Sequence, residues 1–390
     1  MKRIFLFFLM IVSAFFLFHI CCERDFSTLP MKKNPRELSW SIDTLAYPGY
    51  NQTAMDDIWG SSATNVYVVG HNSDIGGKMY HFDGKRWADV KLSAMQGGNI
   101  VGAFQLAAIY GFGPGDIWAV GDYDRLNPNP PPYYIEHYSL VIHYNGKEWQ
   151  QIKTPEGLAI HFDGSQWNVV NVPKESELFS VWGSSPDDIW MGGLDGTLFH
   201  FDGTSVKKDS VPVSISEEVY RDYFFSEITG ISSDEVYMLL TAWGNSSVPR
   251  RYLLGRQADS WVVVDSTFFP ELGLLWMSPS GTLYTAEWDN VYKRQGNSWI
   301  DIADETLKRS ISVGDIGGTD DNNIFVVGAS GFEVNYGEAY HYNGVNWYHL
   351  EDVRIANASF NDVEVIDGEV FIVGTTTSGF PEKTLILHGK

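Results

Sequence analysis

The chain has 390 residues, of which 44% are apolar and 15% aromatic, which is ample for a large hydrophobic core. Its formal charge is -22 at pH 7, and such a surface repels nucleic acid and anionic lipid. A nucleic-acid partner is therefore excluded, and no cofactor is expected beyond a structural calcium ion that the acidic surface would accept.

The N-terminal segment has the pattern of an export signal. Met1-Lys2-Arg3 is followed by an uncharged run from Ile4 to Ile20, and the only two cysteines, Cys21 and Cys22, stand at its end. This arrangement looks like that of a bacterial lipoprotein, in which one cysteine receives the lipid after cleavage. We predict a signal peptide at residues 1–21 and lipidation of Cys22, with Cys21 as the alternative. Plain secretion and an uncleaved membrane helix are the other interpretations.

The segment that follows has two parts. Residues 22–37 are polar, contain Pro30 and Pro35 and lack periodicity, which is typical of a flexible tether. Ser39 to Leu45 then alternates like a β-strand that opens with Trp40. No partner strands precede it, so it is a single strand without its own sheet.

Ser180 to Gly203 shows the unit that the rest of the chain repeats. Short apolar runs are separated by Gly, Ser, Pro and Asp, which indicates antiparallel strands A, B and C joined by tight turns. Asp202-Gly203 is a hairpin signal that leads to a fourth strand, D, which opens with Trp in most units. The units are Met55 to Leu92, Leu106 to Trp149 and beyond, Ser180 to Val211, Ile228 to Trp261 and beyond, Leu274 to Trp299, Ile324 to Trp347, and Asn361 to His388.

The last unit lacks a D strand, and the strand at Trp40 can supply it. This predicts an all-β fold, a β-propeller of seven four-stranded blades over residues 38–390, closed by the N-terminal strand. A further hairpin at about residues 155–173 repeats only strands C and D. It is either a duplicated hairpin or the remnant of an eighth blade.

The units resemble the repeats of bacterial secreted and lipid-anchored propellers, which read roughly Val-Trp-Gly-Ser-Ser-Pro-Asp-Asp-Ile-Trp and then His-Tyr-Asp-Gly-x-x-Trp. The match is closest at Val181 to Gly203 and at His81 to Trp87. The resemblance implies a propeller at the cell envelope, on the outer membrane or the cell surface. It implies no catalytic residues, because the motif residues form the scaffold.

Residues that could carry chemistry are explained better by the repeat itself. One histidine recurs in strand C of successive units, which predicts structural hydrogen bonds and no metal centre: His81, His143, His161, His200, His341 and His388. Tyr110 to Gly115 imitates a phosphate loop and Gly318 to Asn323 a calcium loop, but both fall in the turn between strands A and B. No nucleophile motif or singled-out carboxylate pair is present, so no catalytic residue is assigned.

The connections between strands B and C vary in length, and they emerge at one end of the blades. Binding residues are usually carried by variable loops on a rigid scaffold, and aromatic side chains among Asn, Asp and Gly suit a glycan or a peptide. We predict ligand contacts in these connections from Tyr123, Tyr133, Tyr134, Tyr138, Trp243, Phe332, Tyr336 and Phe380. A tolerated insertion stiffened by proline is the alternative for Pro128 to Pro132.

The sequence favours a monomeric, non-enzymatic, envelope-anchored propeller that binds a glycan or a protein through this face. One alternative is a glycan-active hydrolase or lyase with carboxylates near the central channel. Another is a structural assembly factor of an envelope complex, which a large apolar patch on the outer rim would favour.

Overall fold

The structure is a computed structural model. It describes residues 31, 33–47, 49–72, 76–100, 103–126, 135–151, 158–162, 167–171, 178–194, 196, 198–203, 206–209, 220–244, 249–257, 260–268, 272–308, 310–331 and 334–390. Among the helices of these ranges, none combines the length and hydrophobicity needed to cross a membrane. The predicted signal peptide and both cysteines lie outside the described residues.

Nearly all of the regular structure is β-strand. The strands in the first half are β1 (Trp40–Leu45), β2 (Thr53–Ser62), β3 (Asn65–Asn72), β4 (Gly76–Phe82), β5 (Trp87–Asp89), β6 (Ala103–Gly113), β7 (Asp116–Leu126), β8 (Ile135–Tyr144), β9 (Trp149–Gln151), β10 (Leu158–Phe162), β11 (Trp167–Asn171), β12 (Leu178–Ser185), β13 (Asp188–Gly193), β14 (Leu198–Phe201) and β15 (Val206–Lys208). Short 3₁₀ helices occupy Pro35–Glu37, Ala94–Gln96 and Glu351–Val353.

The second half continues in the same way. Its strands are β16 (Tyr220–Ser232), β17 (Glu235–Gly244), β18 (Arg250–Gln257), β19 (Ser260–Phe268), β20 (Leu274–Met277), β21 (Leu283–Glu287), β22 (Asn290–Gln295), β23 (Ser298–Asp301), β24 (Ser312–Asp320), β25 (Asn323–Ser330), β26 (Tyr336–Tyr342), β27 (Trp347–His349), β28 (Ile355–Ala356), β29 (Ala358–Ile366), β30 (Glu369–Thr376) and β31 (Thr384–Gly389).

Six sheets of the described residues are each built from four strands that are consecutive in the chain, and we call them blades 1 to 6. They are β2–β5, β6–β9, β12–β15, β16–β19, β20–β23 and β24–β27, with β28 added at β26 in blade 6. All pairings within them are antiparallel, as the hairpin signals predict. Gly84 and Gly344 in the turns between the third and fourth strands have φ values of +84° and +85°, which glycine adopts without strain.

A further sheet, here called the terminal sheet, joins the two ends of the chain in the order β1-β31-β30-β29. Trp40 pairs with Gly389 and Leu45 with Thr384. The backbone N–H of Ser39 donates to the carbonyl of Lys390 at 2.9 Å, and the reverse bond is 3.1 Å long. Strands β10 and β11 form a separate two-stranded sheet.

The first strands of the blades form the inside of a ring. Contacts run in order from β2 to β6, β12, β16, β20, β24 and β29, and β29 contacts β2 again. The hydrophobic core lies between neighbouring sheets: Val66 and Phe82 of blade 1, for example, cluster with Phe371 and Ile386 of the terminal sheet. This arrangement is an all-β propeller.

The repeated histidine is part of the scaffold, as predicted, at the four positions whose side chains are described. His81, His200, His341 and His388 each stack on, or tilt against, the aromatic ring directly opposite in the second strand, at centroid distances of 4.0–4.9 Å. Each Nε2 is also hydrogen-bonded, at 2.6–2.8 Å, to a side-chain oxygen of the first residue of that second strand. His143 and His161 have no described side chain.

The connections between the second and third strands are shorter than the sequence predicted. Strand β7 continues to Leu126 and β8 begins at Ile135, so most of the expected loop from Asp122 to Ser139 is paired. Likewise, β17 runs to Gly244 and β26 begins at Tyr336. The loop assignment was therefore wrong for Tyr123, Tyr138, Trp243 and Tyr336, because polar residues in an extended hairpin read as a loop when their ladder partner is distant in sequence.

Candidate binding face and axial carboxylates

Every inner strand except β20 carries an extra residue at an equivalent position, and these six residues surround one end of the ring. The pairing register shifts past a single unpaired residue in five blades and in the terminal sheet, at Asp56, Ala107, Phe179, Ser226, Gly314 and Asn361. All six are exposed or half-buried. A bulged residue leaves the ladder and re-aims its side chain, and we call this set the mouth residues.

The residue after each mouth residue forms a second level, which we call the axial tier. Its members are Asp57, Ala108, Ser180, Glu227, Asp315 and Asp362. Four of the six are acidic, although the scaffold would accept a small residue there, as Ala108 shows. Carboxyl groups are thus gathered around the axis of the ring, which the sequence analysis left as an alternative without naming residues.

Three axial carboxylates connect one inner strand to the next. Asp57 Oδ2 accepts the backbone N–H of Ile109 in blade 2 at 2.7 Å. Asp362 Oδ2 accepts the N–H of Ile58 in blade 1 at 2.8 Å. Asp315 Oδ2 accepts the N–H of Val363 in the terminal sheet at 3.0 Å. Each bond points in the same direction around the ring, so these carboxylates act first as ties between sheets.

Four acidic side chains near the axis, those of Asp57, Asp315, Glu227 and Glu364, have raised pKa values. Burial raises the pKa of Asp57 and that of Asp315 well above the usual range, and the charge and hydrogen bond of Asp362 raise both further, against the backbone N–H donors. Burial, followed by the charge of Asp362, raises the pKa of Glu227 and of Glu364 to about 8. Both glutamates are therefore mainly protonated at neutral pH.

Aromatic side chains lie beside the mouth on blades 3 and 4. The rings of Phe179 and Phe224 meet edge to face with centroids 5.8 Å apart, and an isolated bridge from Leu194 to Phe224 joins the two blades. Trp243 pairs with Asp222, two residues before Phe224, so Trp243 and Phe224 share one face of the β16–β17 ladder. Phe179 is 37% and Trp243 40% exposed. We call Phe179, Phe224 and Trp243 the aromatic patch.

The sheets around the aromatic patch differ in height. In blade 3, β13 ends at Gly193 and β14 begins at Leu198, whereas β7–β8 of blade 2 and β16–β17 of blade 4 extend further at the same end. Gly196 in the short turn has φ +66°, and a Cβ there would lie 2.7 Å from the ring of Tyr223. The strands of blade 3 are thus shorter at this end than those of blades 2 and 4 on either side, next to the aromatic patch.

The residues predicted to contact a ligand occupy this same end of the sheets but do not form one cluster. Tyr123 is half-buried against the core of blades 1 and 2 and pairs with Tyr138. Tyr336 is half-buried under the Arg354 guanidinium, 3.8 Å from the ring centroid, and Phe380 is 73% exposed. Of the described members, Trp243 alone joins the aromatic patch. Tyr133, Tyr134 and Phe332 lie outside the described residues.

Of the aromatic patch and the axial carboxylates, only Trp243 was predicted from the sequence. A signal was present: an acidic residue recurs two positions before the Trp of the Trp-Gly pair or its counterpart, at Asp57, Glu227, Asp315 and Asp362. Phe179 and Phe224 were assigned no role because they lie in or beside a predicted scaffold strand. The bulge that turns Phe179 outward is a feature of pairing and leaves no mark in the sequence.

The calcium-like segment lies in the turn between the first two strands of blade 6. Asp321 accepts hydrogen bonds from Ser278 Oγ at 2.6 Å and Thr282 Oγ1 at 2.9 Å, and it pairs with Lys293 Nζ at 3.2 Å, all from blade 5. Asp321 is thus a link between turns. No group of three or more His, Cys, Asp or Glu side chains among the described residues is arranged to hold a metal ion.

No family model matches the chain, and no curated protein matches it. Its structure is similar to that of YCF48 bound to D1 peptide, with 15% identity over 92% of this chain and 98% of that chain and a TM-score of 0.54. YCF48 from Cyanidioschyzon merolae gives 11% identity over 90% and 98% of the two chains, also with a TM-score of 0.54. The extracellular domain of the BT4673 hybrid two component system from B. thetaiotaomicron gives 10% identity, 88% and 42% coverage and a TM-score of 0.50. At these identities the likeness shows a shared fold, the all-β propeller.

Proposed function

We propose that this protein is a non-enzymatic propeller that binds a peptide segment of a protein partner at the mouth of the ring, with the aromatic patch as its anchor. The observation that carries the proposal is the patch itself: three aromatic side chains gathered beside the axial opening, two of them more than a third exposed. Aromatic rings supply large contact areas and are enriched at binding hot spots. A glycan is the alternative ligand for the same surface.

The likeness to YCF48 supports a peptide over a glycan. That protein has the same fold and was determined with D1 peptide, so a propeller of this size can present a peptide-binding surface. The acidic surface of this chain, with a net charge of -22, favours partners that carry positive charge.

The test is binding of the soluble fragment from Asp25 to Lys390 to a peptide array, a glycan array and an envelope extract. The paired variant carries Phe179→Ser and Trp243→Ala, which removes the two exposed members of the aromatic patch. Loss of a peptide signal in this variant, by about tenfold or more in Kd, is expected for an anchor of this type.

Ile231→Ser is the matched control. Ile231 is 43% exposed and lies on β16, the strand of Phe224, but at the other end of that strand. Binding that survives in the patch variant, or that falls equally in the Ile231 variant, would contradict the proposed site. A glycan signal lost in the patch variant would keep the site and change the ligand class.

A second candidate is the glycan-active hydrolase or lyase with carboxylates near the axis. The observation that favours it is the raised pKa of Glu227 and Glu364, which would keep a general acid protonated at neutral pH. Release of reducing sugar from a polysaccharide panel, lost in Glu364→Gln and Glu227→Gln, would support this function.

The assembly-factor alternative stays a prediction; the outer strands carry single exposed apolar side chains at Val263 and Ile300.

We also propose export and lipid anchoring, with a signal peptide at residues 1–21, a tether at 22–37 and a monomeric propeller domain at 38–390. The support is the basic start, the apolar run and the paired cysteines of the sequence. Metabolic labelling with a radioactive fatty acid should mark the wild-type chain, and Cys22→Ala should lose the label. Label retained in Cys22→Ala and lost in Cys21→Ala would move the modified residue to Cys21.

The ring is proposed to contain seven blades, with the terminal sheet as the seventh and β1 as its closing strand. The pairing of β1 with β31 and the contacts of β29 with both β24 and β2 support this. Deleting Ser39 to Leu45 should then lower the melting temperature sharply, because β31 would become an exposed edge. Deleting residues 23–29 is the control, and unchanged melting after the first deletion would contradict closure.

A further inference from the structure

We infer that Asp362 is the hub of a proton-sharing seam that fastens blade 6, the terminal sheet and blade 1 around the axis, and that this seam loosens as the pH rises. The inference is independent of the proposed function. It concerns how the ring is held together beneath the mouth, where a partner would dock.

The geometry of the seam is a relay of three carboxyl groups. The N–H of Ile58 lies 2.8 Å both from Asp57 Oδ1 and from Asp362 Oδ2, so the two carboxyls share one donor and stand side by side. Asp362 is also hydrogen-bonded to Asp315, which in addition accepts the N–H of Ile316 and that of Val363, the residue after Asp362. Two carboxyl groups can hydrogen-bond to each other only while at least one of them keeps a proton.

Among the described residues, the side chains whose pKa values Asp362 is seen to raise are all carboxylic acids. They are Asp57 of β2, Asp315 of β24, Glu364 of β29 itself and Glu227 of β16. Burial, followed by the charge of Glu364, in turn raises the pKa of Tyr110 of β6. No cation is among the groups that act on Glu227 or Glu364. Deprotonation of either glutamate therefore adds a negative charge that repels the charge of Asp362.

The seam is confined to one side of the ring. The equivalent positions in blades 2 and 3 are Ala108 and Ser180, and the Ser180 hydroxyl is buried without a hydrogen-bond partner. A serine is too short to reach the next inner strand as aspartate does. Carboxyl ties hence occur at the interfaces of blade 6 with the terminal sheet, of the terminal sheet with blade 1, and of blade 1 with blade 2.

The direction of the pH effect follows from proton binding. A carboxyl whose pKa is raised by folding binds more protons in the folded than in the unfolded state between the two pKa values. Its contribution to stability is present near pH 4 and is lost as the pH rises through the folded value, which is about 8 for Glu227 and Glu364. The seam is accordingly strongest in mildly acidic solution and weakest above pH 8.

The test combines thermal melting of the full chain between pH 5 and 9 with hydrogen exchange at pH 6 and pH 9, corrected for intrinsic rates. We expect the wild-type Tm to fall by about 5 °C or more from pH 6 to 9. Exchange in β2, β24 and β29 should rise more than exchange in β13 and β14 of blade 3. Asp362→Asn, which cannot ionise, should flatten the pH dependence of Tm.

Glu364→Gln is a second variant that leaves all three ties in place and should reduce the pH dependence in part, should Asp362→Asn fail to fold. Asp234→Asn, at an exposed turn of blade 4, is the charge-matched control and should leave the wild-type profile intact. A wild-type Tm that is flat or rises from pH 6 to 9, a profile unchanged in Glu364→Gln, or exchange that rises equally in every blade would overturn the inference.

Discussion

The Trp-Gly pair that marks the repeat is a contact between blades. The ring of Trp59 in blade 1 covers Gly111 in blade 2, where a Cβ would lie 2.6 Å from Trp59 Cζ2. Trp182 in blade 3 covers Gly230 in blade 4 in the same way, with a Cβ distance of 2.9 Å to Cη2. The glycine of one unit is thus required by the tryptophan of the unit before it, which couples neighbouring repeats through a single side chain.

Gly111→Ala should consequently destabilise the protein by about 1–3 kcal/mol, since the added methyl group forces the Trp59 ring out of its place. The measurement is the midpoint of chemical denaturation. Gly115→Ala is the control in the following turn, where the nearest atom to a new Cβ is 3.6 Å away. Equal midpoints for the two variants would show that the indole ring moves aside at little cost.

The sequence was sufficient to find these residues but not their partners. Spacing within a unit shows that Trp59 and Gly60 belong to the inner strand. Burial of the Trp59 ring can be expected because the indole is large and mostly apolar. Which sheet the ring packs on depends on the order of blades around the axis. The same limit applies to Asp57 and Asp362, whose hydrogen bonds reach into the next sheet.

At the level of strands and turns, Asp321 joins two neighbouring blades. It lies in the turn between the first and second strands of blade 6 and bonds to the corresponding turn of blade 5. Burial would raise the pKa of this carboxyl, but hydrogen bonds from Ser278, Thr282 and Lys293 outweigh burial and lower the pKa to about 2. The side chain is one-quarter exposed. The ionised form is therefore the one that links blade 5 to blade 6.

Asp321→Asn should lower the free energy of unfolding at pH 7 by about 1–3 kcal/mol, because charge-assisted hydrogen bonds are replaced by weaker ones. A lowered folded pKa gives stability that is present above about pH 4 and is lost as the pH falls towards 2. The difference in free energy of unfolding between the variant and the wild type should hence become smaller below pH 3. Denaturant titrations at pH 7 and pH 2.5 measure it, and a constant gap would contradict the assignment.

The inner strands show where element prediction from sequence reaches its limit. Apolar alternation and Gly-Ser-Ser-Pro-Asp turns placed β12, β13 and β14 within a few residues. The hairpin from Asp116 to Tyr144 was predicted to be shorter than it is. Its outer half lacks apolar alternation and is paired strand to strand in the structure. Bulges could not be predicted at all, since the extra residue is defined only by the strand opposite.

At the scale of the whole molecule, the two ends of the propeller domain lie next to each other. Ser39 and Lys390 exchange two backbone hydrogen bonds of 2.9 and 3.1 Å. The first strand, which has no neighbouring partner in the sequence, pairs with the last strand β31, so the meeting of the two ends could be predicted from the sequence. The ring itself, as a closed series of contacts between inner strands, required the structure.

A circular permutant should therefore fold. Joining Lys390 to Leu38 by a short glycine-serine linker and opening the chain between Gly296 and Asn297, in an exposed turn of blade 5, should keep the melting temperature within a few degrees of the parent domain. Opening it at Val326, which is fully buried, is the control that should unfold. Thermal melting followed by circular dichroism measures the outcome. An unfolded first permutant would show that the two ends cannot be joined by a linker without loss of the fold.

The mouth residues allow the surface at this end of the ring to diversify. Because Asp56, Phe179 and Asn361 stand outside the hydrogen-bonding ladder, their side chains can be exchanged without moving the register of the strands beneath them. Five of the six mouth positions could be varied in a combinatorial library while the framework stays constant; Gly314 is the exception, because a Cβ there would lie 2.5 Å from the Phe360 carbonyl oxygen. Selection, natural or in the laboratory, would act there much as it acts on the hypervariable loops of an antibody.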